Sequence, residues 1–183
     1  MPTKREQVLD AAIELLGSRG SRALTHRAVD EISGVPSGTT SNYFRTRDAL
    51  LSGIAERLEA RDHADWEAMN RAPAPATLDQ LIDGMAQFAT HATTTDRART
   101  LARYALFLEA QTVPAVQETV RRGHERLTEW AATLLRDVAP GTDVAKPLVD
   151  YLDGVILHQL ASPAKQFDPH IGLEQIVGGL LGR

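Results

Sequence analysis

Apolar residues recur at three- and four-residue spacing along this 183-residue chain, and no stretch alternates with period two. That spacing lines up one face of an α-helix, whereas a half-buried strand needs alternation, so the pattern restricts the chain to packed helices. Val8, Leu9, Ala12, Ile13, Leu15 and Leu16 make the first stripe, over about Thr3 to Ser18, and Gly20 can close it in a left-handed conformation. Thr25 is suited to cap a short second helix with Ala28, Val29 and Ile32 facing inward. Ser33-Gly34-Val35-Pro36 reads as a tight turn, followed by a third short helix over about Ser37 to Phe44. Thr46 then caps a long helix carrying Leu50, Leu51, Ile54 and Leu58 and running to about Asn70.

Arg71-Ala-Pro-Ala-Pro-Ala76 breaks the pattern, because proline inside a helix removes a hydrogen bond and clashes with the preceding turn. Five stripes follow it: Leu78, Leu81, Ile82, Met85, Phe88 and Ala92; Leu101, Tyr104, Ala105 and Leu108; Val116, Val120, Leu127, Trp130 and Leu134; Leu148, Tyr151, Leu152, Val155 and Ile156; and Ile171, Leu173, Ile176, Val177, Leu180 and Leu181. The fold expected is all-α with about nine helices, a head over residues 1–50 on a helical body over 51–183.

Composition narrows the chemistry. The absence of cysteine removes disulfides, thiol catalysis, iron–sulfur clusters and cysteine zinc sites. No apolar run approaches the ~20 residues of a membrane span, and the acids at Glu6, Asp10 and Glu14 make the start unlike a secretory signal, so a cytoplasmic location is expected. The six histidines show no metal-ligand spacing, and no glycine-rich loop follows a strand, so neither an enzyme nor a metal or cofactor site is expected. Net charge is −4, but residues 1–50 hold seven basic against six acidic side chains, and the remainder 13 against 18. A slightly basic quarter on an acidic body raises the question of nucleic acid.

The third short helix answers it. Ser37, Thr39, Thr40, Ser41, Asn42 and Tyr43 are six polar side chains in seven positions, around Gly38. Short hydroxyls and amides reach base edges and phosphates without bulk, and His26, Arg27, Arg45 and Arg47 place donors at both flanks. Two short helices joined by a tight glycine turn and braced by a helix on each side form a helix-turn-helix. Composition alone fits a solvated surface turn equally well; the absence of acids between Ser33 and Thr46 favours a binding surface.

The segment Leu24-Thr-His-Arg-Ala-Val-Asp-Glu-Ile-Ser-Gly-Val-Pro-Ser-Gly-Thr-Thr-Ser-Asn-Tyr-Phe-Arg-Thr-Arg-Asp-Ala-Leu-Leu51 resembles the DNA-binding segment of the tetracycline-repressor (TetR) family, and with Ala11-Ala12, Leu15-Leu16 and Gly20 the resemblance spans about residues 5–51. The family pattern runs Gly-Val-Ser-x-Gly-Thr-(Leu/Ile)-Tyr-x-(Tyr/His)-Phe. Here Pro36 stands in place of the capping serine, leaving Ser37 or Thr39 to supply a cap. Thr40 and Ser41 replace the Leu/Ile and Tyr, and Arg47 the usual Lys. Carried over by position, the resemblance implies base readout by Arg27, Ser37 and Asn42, and phosphate contacts from Thr25, His26, Thr39, Tyr43 and Arg47. It also implies a thymine contact from the Thr40 methyl, and core roles for Leu24, Val29, Ile32, Val35, Phe44 and Leu50.

For the body, the resemblance implies a homodimer through the last two helices and a small-molecule effector bound among the others. Gln87, His91, Tyr104, Phe107, Gln111, Trp130 and His158 are polar or aromatic groups set in apolar stripes, and as a set they suit a largely apolar effector. The function expected is a ligand-responsive repressor of a palindromic operator in double-stranded DNA. The alternative is a helical protein–protein adaptor whose polar third helix is only surface.

Overall fold

The computed structural model describes residues 2–182. Among the described residues it contains nine α-helices and no strand: α1 (Lys4–Arg19), α2 (His26–Ser33), α3 (Thr39–Tyr43), α4 (Arg47–Met69), α5 (Leu78–Thr93), α6 (Arg97–Glu109), α7 (Pro114–Leu135), α8 (Ala145–Ala161) and α9 (His170–Leu180). A single 3-10 turn, Ser21–Ala23, lies between α1 and α2. The chain packs as two units, Met1–Asp65 with Ala98–Gly123, and Trp66–Arg97 with His124–Arg183. The boundary expected after residue 50 is therefore not where the packing divides: Ala102, Leu106, Val113 and Val116 join the core of the first unit.

In the first unit, α1 opens on a reciprocal cap. The Thr3 side chain accepts from the Glu6 amide, and the Glu6 carboxylate accepts from the Thr3 amide at 2.8 Å. The stripe of α1 meets Val29, Phe44, Leu50, Leu51, Ile54 and Leu58, all buried. Gly17 is required by this packing, because a Cβ there would sit 1.8 Å from the carbonyl oxygen of Ala98. Thr25 and Thr46 cap α2 and α4 as expected, accepting from Ala28 and Ala49. Gly34, at φ +67°, ends α2 in the left-handed region.

From Arg57 to Asp65, ion pairs join α4 of this unit to its neighbours. Arg57 bridges Glu6 and Asp10 of α1 at 2.8 and 2.9 Å. Glu59 pairs with Arg122 at 2.7 Å, Asp62 with Arg103 at 2.6 Å, and Asp65 with Arg99 at 2.7 Å. Such partly exposed pairs contribute of order 0–1 kcal/mol each.

In the second unit, Leu81, Ile82, Ala86, Leu135, Ala139, Leu148, Leu173 and Val177 form the core. The indoles of Trp66 and Trp130 stack at 6.0 Å with their planes 14° apart, and Trp130 Nε1 donates to Asn70 Oδ1 at 2.9 Å. His170, at the start of α9, lies 2.7 Å from the Asp83 carboxylate of α5. Ile171 and Leu157 are 64% and 43% exposed, leaving apolar surface on α9 and α8. Phe88 of the second unit and Leu108 of the first, both expected within buried stripes, are also exposed.

Candidate nucleic-acid interface

Five residues are too few for a helix to hold itself together, since nucleation costs more than so short a ladder returns. The first unit clamps α3 at both ends. At its exit Phe44 is buried with its ring against Gly53, where a Cβ would come within 2.6 Å of the ring, and the Arg5 guanidinium lies 5.3 Å above it.

At its entry the helix has no side-chain cap of its own, so neither Ser37 nor Thr39 fills the gap left by Pro36. Asp30 of α2 does so instead. Its carboxylate accepts from the Gly38 amide at 2.7 Å, the Thr40 amide at 2.8 Å and the Thr40 hydroxyl at 2.5 Å. Asp30 is only 4% exposed. Burial pushes its carboxyl up, but the bonds from Thr40 and Gly38, with the nearby His26, outweigh this and hold it below the usual carboxylate range.

This frame sorts the expected contacts. Ser37, Asn42 and Tyr43 are exposed on or beside α3, Arg27 is exposed on α2, and their side chains donate to no other described residue. Thr25 is exposed and keeps its hydroxyl proton while capping α2. The Thr39 hydroxyl donates to the Pro36 carbonyl at 2.6 Å, so a phosphate would compete for the same proton.

Two expectations are corrected, for Thr40 and Ile32, and two are narrowed, for His26 and Arg47. Thr40 is 0% exposed and cannot offer its methyl to a base; its hydroxyl is there to meet Asp30. The Nε2 of His26 is buried without a hydrogen-bond partner and closed to a phosphate, although the residue is half-buried as a whole. Arg47 is exposed but engaged within the molecule, donating to the Leu24 carbonyl at 3.1 Å, the Ser21 carbonyl at 3.2 Å and the Glu109 carboxylate at 3.0 Å. Ile32, expected in the core, is 42% exposed, because Val29 and Ser33 occupy the inward face of α2.

Arg22 and Asp30 drew no expectation from the sequence. Arg22 and Arg45 are exposed with no ion pair among the described residues, and Arg22 lines an open notch of about 410 Å³ with Ser21, Leu24, Thr25, His26, Arg47 and Leu50. Arg45 was legible as a flanking charge; Arg22 was hidden in a turn that carries no helical pattern. Asp30 had no local signal, since its partners lie eight and ten positions onward.

The seven residues expected to line an effector site are distributed over both units. Tyr104 is buried in the first unit with its ring edge-on to Phe107 at 5.5 Å, and Gln111 there is exposed. In the second unit Gln87, His91 and His158 are exposed, and Trp130 is engaged with Trp66 and Asn70. Gln87 and His91 share the outward face of α5 because Ala86, Ala89 and Ala92 take the inward one. Among the described residues no cluster of three His, Asp or Glu side chains could hold a metal ion, and no helix is long and apolar enough to cross a membrane.

Comparison with known proteins places this geometry. Residues 8–54 match the family model for bacterial regulatory proteins of the tetR family, and residues 76–183 match the tetracyclin repressor-like C-terminal domain. The HTH-type transcriptional regulator BetI of Rhizobium meliloti (strain 1021) is 24% identical over 161 residues, covering 86% of this chain and 78% of that protein. Multidrug binding protein EbrR, in a structure complexed with ethidium, aligns with TM-score 0.72 and 25% identity over 98% of both chains. A transcriptional regulator from Rhodococcus sp. Rha1 aligns with TM-score 0.73 and 24% identity over 98% of this chain and 95% of that one.

Proposed function

The chain belongs to the tetracycline-repressor family of DNA-binding transcription regulators, and from that footing we propose that it is a homodimeric repressor released from a palindromic operator by a small, largely apolar effector. The family's members are regulators, not enzymes. The observation that carries the reading is α3 itself, clamped at both ends with Ser37, Asn42 and Tyr43 left outward and unspent.

Residues 1–50 carry the DNA contacts, and 51–183 the effector site and the dimer surface. Arg27, Ser37 and Asn42 read bases; Thr25, Thr39, Tyr43, Arg22 and Arg45 contact phosphates. Each subunit places α3 in a major groove, and twofold symmetry sets the half-sites about 34–36 Å apart. The apolar surface left by Leu157 and Ile171 supports pairing through α8 and α9. EbrR holding ethidium supports an effector of aromatic, mainly apolar character, and Tyr104 and Phe107 are the aromatic candidates to meet it. The protein acts in the cytoplasm, where the operator lies.

Release is linkage. An effector that binds better to the conformation unsuited to the operator shifts the population away from DNA, whereas equal affinity for both conformations shifts nothing. The contact of Glu109, which ends α6, with Arg47 in the first turn of α4 supports a mechanical route from the body helices to the head.

The test is fluorescence anisotropy with duplex DNA from upstream of the protein's own gene and a shuffled control, at low and physiological salt. The expected result is tight, salt-sensitive binding that favours the upstream duplex, since phosphate contacts release counterions. Failure to bind either duplex at low salt would reject the reading and favour the adaptor.

A further inference from the structure

We propose that Asp30 is a positioning residue for DNA reading: its buried carboxylate fixes the entry of α3 before DNA arrives, so that Ser37, Asn42 and Tyr43 meet the groove already in place. The proposal rests on the DNA-binding reading above and adds a residue that makes no contact with DNA itself.

The geometry separates this acid from an ordinary surface cap. All three groups that Asp30 accepts from belong to the entry of α3, and none belongs to its own helix. No other side chain caps the entry. Its N-cap is Gly38 at φ +89°, with no side chain, and Pro36 has no amide to donate. What remains is local: the Thr39 amide and hydroxyl both donate to the Pro36 carbonyl, at 3.1 and 2.6 Å, and the Ser41 hydroxyl donates to the Gly38 carbonyl at 2.9 Å. These bonds shape the turn, and the Val35 amide, donating to the Asp30 carbonyl at 3.1 Å, ties its start to α2. The Asp30 carboxylate attaches the first residues of α3 themselves.

Thr40 belongs to the same device. The family pattern has an apolar Leu or Ile at this position, and here the buried hydroxyl and the amide of the same residue both donate to Asp30 Oδ1, leaving Oδ2 to the Gly38 amide. Carboxylate and hydroxyl therefore act as a pair, and losing either leaves the other buried without its partner. The pair also uses up the amides of Gly38 and Thr40. Sequence reading then falls to side chains, and the charge of Asp30 stays shielded behind the helix instead of facing phosphate.

The experiment first selects duplexes from a random pool with the wild-type protein. It then compares wild type with D30A, T40V and T40S, measuring affinity for the selected and a shuffled duplex, backbone amide exchange and thermal unfolding. For D30A the expected result is at least a tenfold loss of affinity for the selected duplex and a change within about twofold for the shuffled one, because Arg22 and Arg45 reach phosphates without Asp30. In the free protein, amides over residues 38–44 should lose protection while those of α1 keep it. T40V should lose part of the preference, and T40S, which restores the hydroxyl, should recover most of what T40V lost. Unchanged preference in D30A, or equal losses on both duplexes together with lost α1 protection, would overturn the positioning role. Failure of the wild type to enrich any sequence would instead reject the DNA-binding reading, and this proposal with it.

Discussion

Arg47 and Glu109, 62 positions apart in sequence, meet at 3.0 Å, and the Ser21 hydroxyl is hydrogen-bonded to both. The contact ties the first turn of α4 to the last residue of α6 through the turn that precedes α2. An arginine whose position suggests a phosphate contact is thus spent on holding the head together.

Arg47→Ala should therefore lower stability and leave the salt dependence of DNA binding nearly as steep as in the wild type. Arg22→Ala and Arg45→Ala should each reduce the slope of log K against log salt by about one, the signature of a lost phosphate contact. Anisotropy titrations at several salt concentrations, with thermal unfolding alongside, separate the two behaviours. A slope reduced equally by Arg47→Ala would return that residue to the interface.

Asn42 has its amide free to pair with a base edge. Asn42→Ala should lower affinity for the selected duplex by about 1–3 kcal/mol and barely change affinity for a shuffled one. An unchanged ratio between the two duplexes would end its base-reading role.

Two glycines should respond in opposite senses to the same substitution. Gly17→Ala forces a methyl into the Ala98 carbonyl and should cost about 1–3 kcal/mol or more. Gly84→Ala, within α5 with open space around it, should add roughly 0.5–1 kcal/mol by stiffening the unfolded chain and favouring helix. Denaturant unfolding of both variants checks the pair.

His170 gives the second unit a pH dependence. The hydrogen bond with Asp83 raises its imidazole pKa above the usual value; burial opposes this, and the charges of Asp83, Asp168 and Glu174 add to it. A pKa raised by folding means protons favour the folded state: the contribution is complete below the unfolded value of about 6.5 and fades as pH climbs through the folded one. Thermal unfolding should therefore show a loss of stability as pH rises above about 6.5 that Asp83→Asn removes. An identical pH profile in that variant would assign the effect elsewhere.

The helices were legible because each carries its own stripe and stop signals; Thr25 and Thr46 cap where local chemistry says they should. Exposed polar positions on α3 were legible for the same reason. What escaped was long-range: Thr40 reads as one more polar residue until Asp30, ten positions away, is folded beneath it. Arg47 reads as a free cation until Glu109 arrives. Ile32 looked buried by type, and a helix only eight residues long has too few positions for spacing to settle its inward face. Among the residues expected to meet an effector, Gln87 and His91 face outward on α5, since a polar group beside an apolar stripe can as easily face solvent.

The stacked indoles make the protein its own spectroscopic instrument. Trp66 and Trp130 are the chain's only tryptophans, so all of its indole emission, and any exciton signal in circular dichroism, comes from that one pair. Trp66 lies on the helix whose first turn holds Arg47. Candidate effectors can thus be screened without a label, by asking which molecules disturb the light from one end of α4 while operator DNA is released at the other.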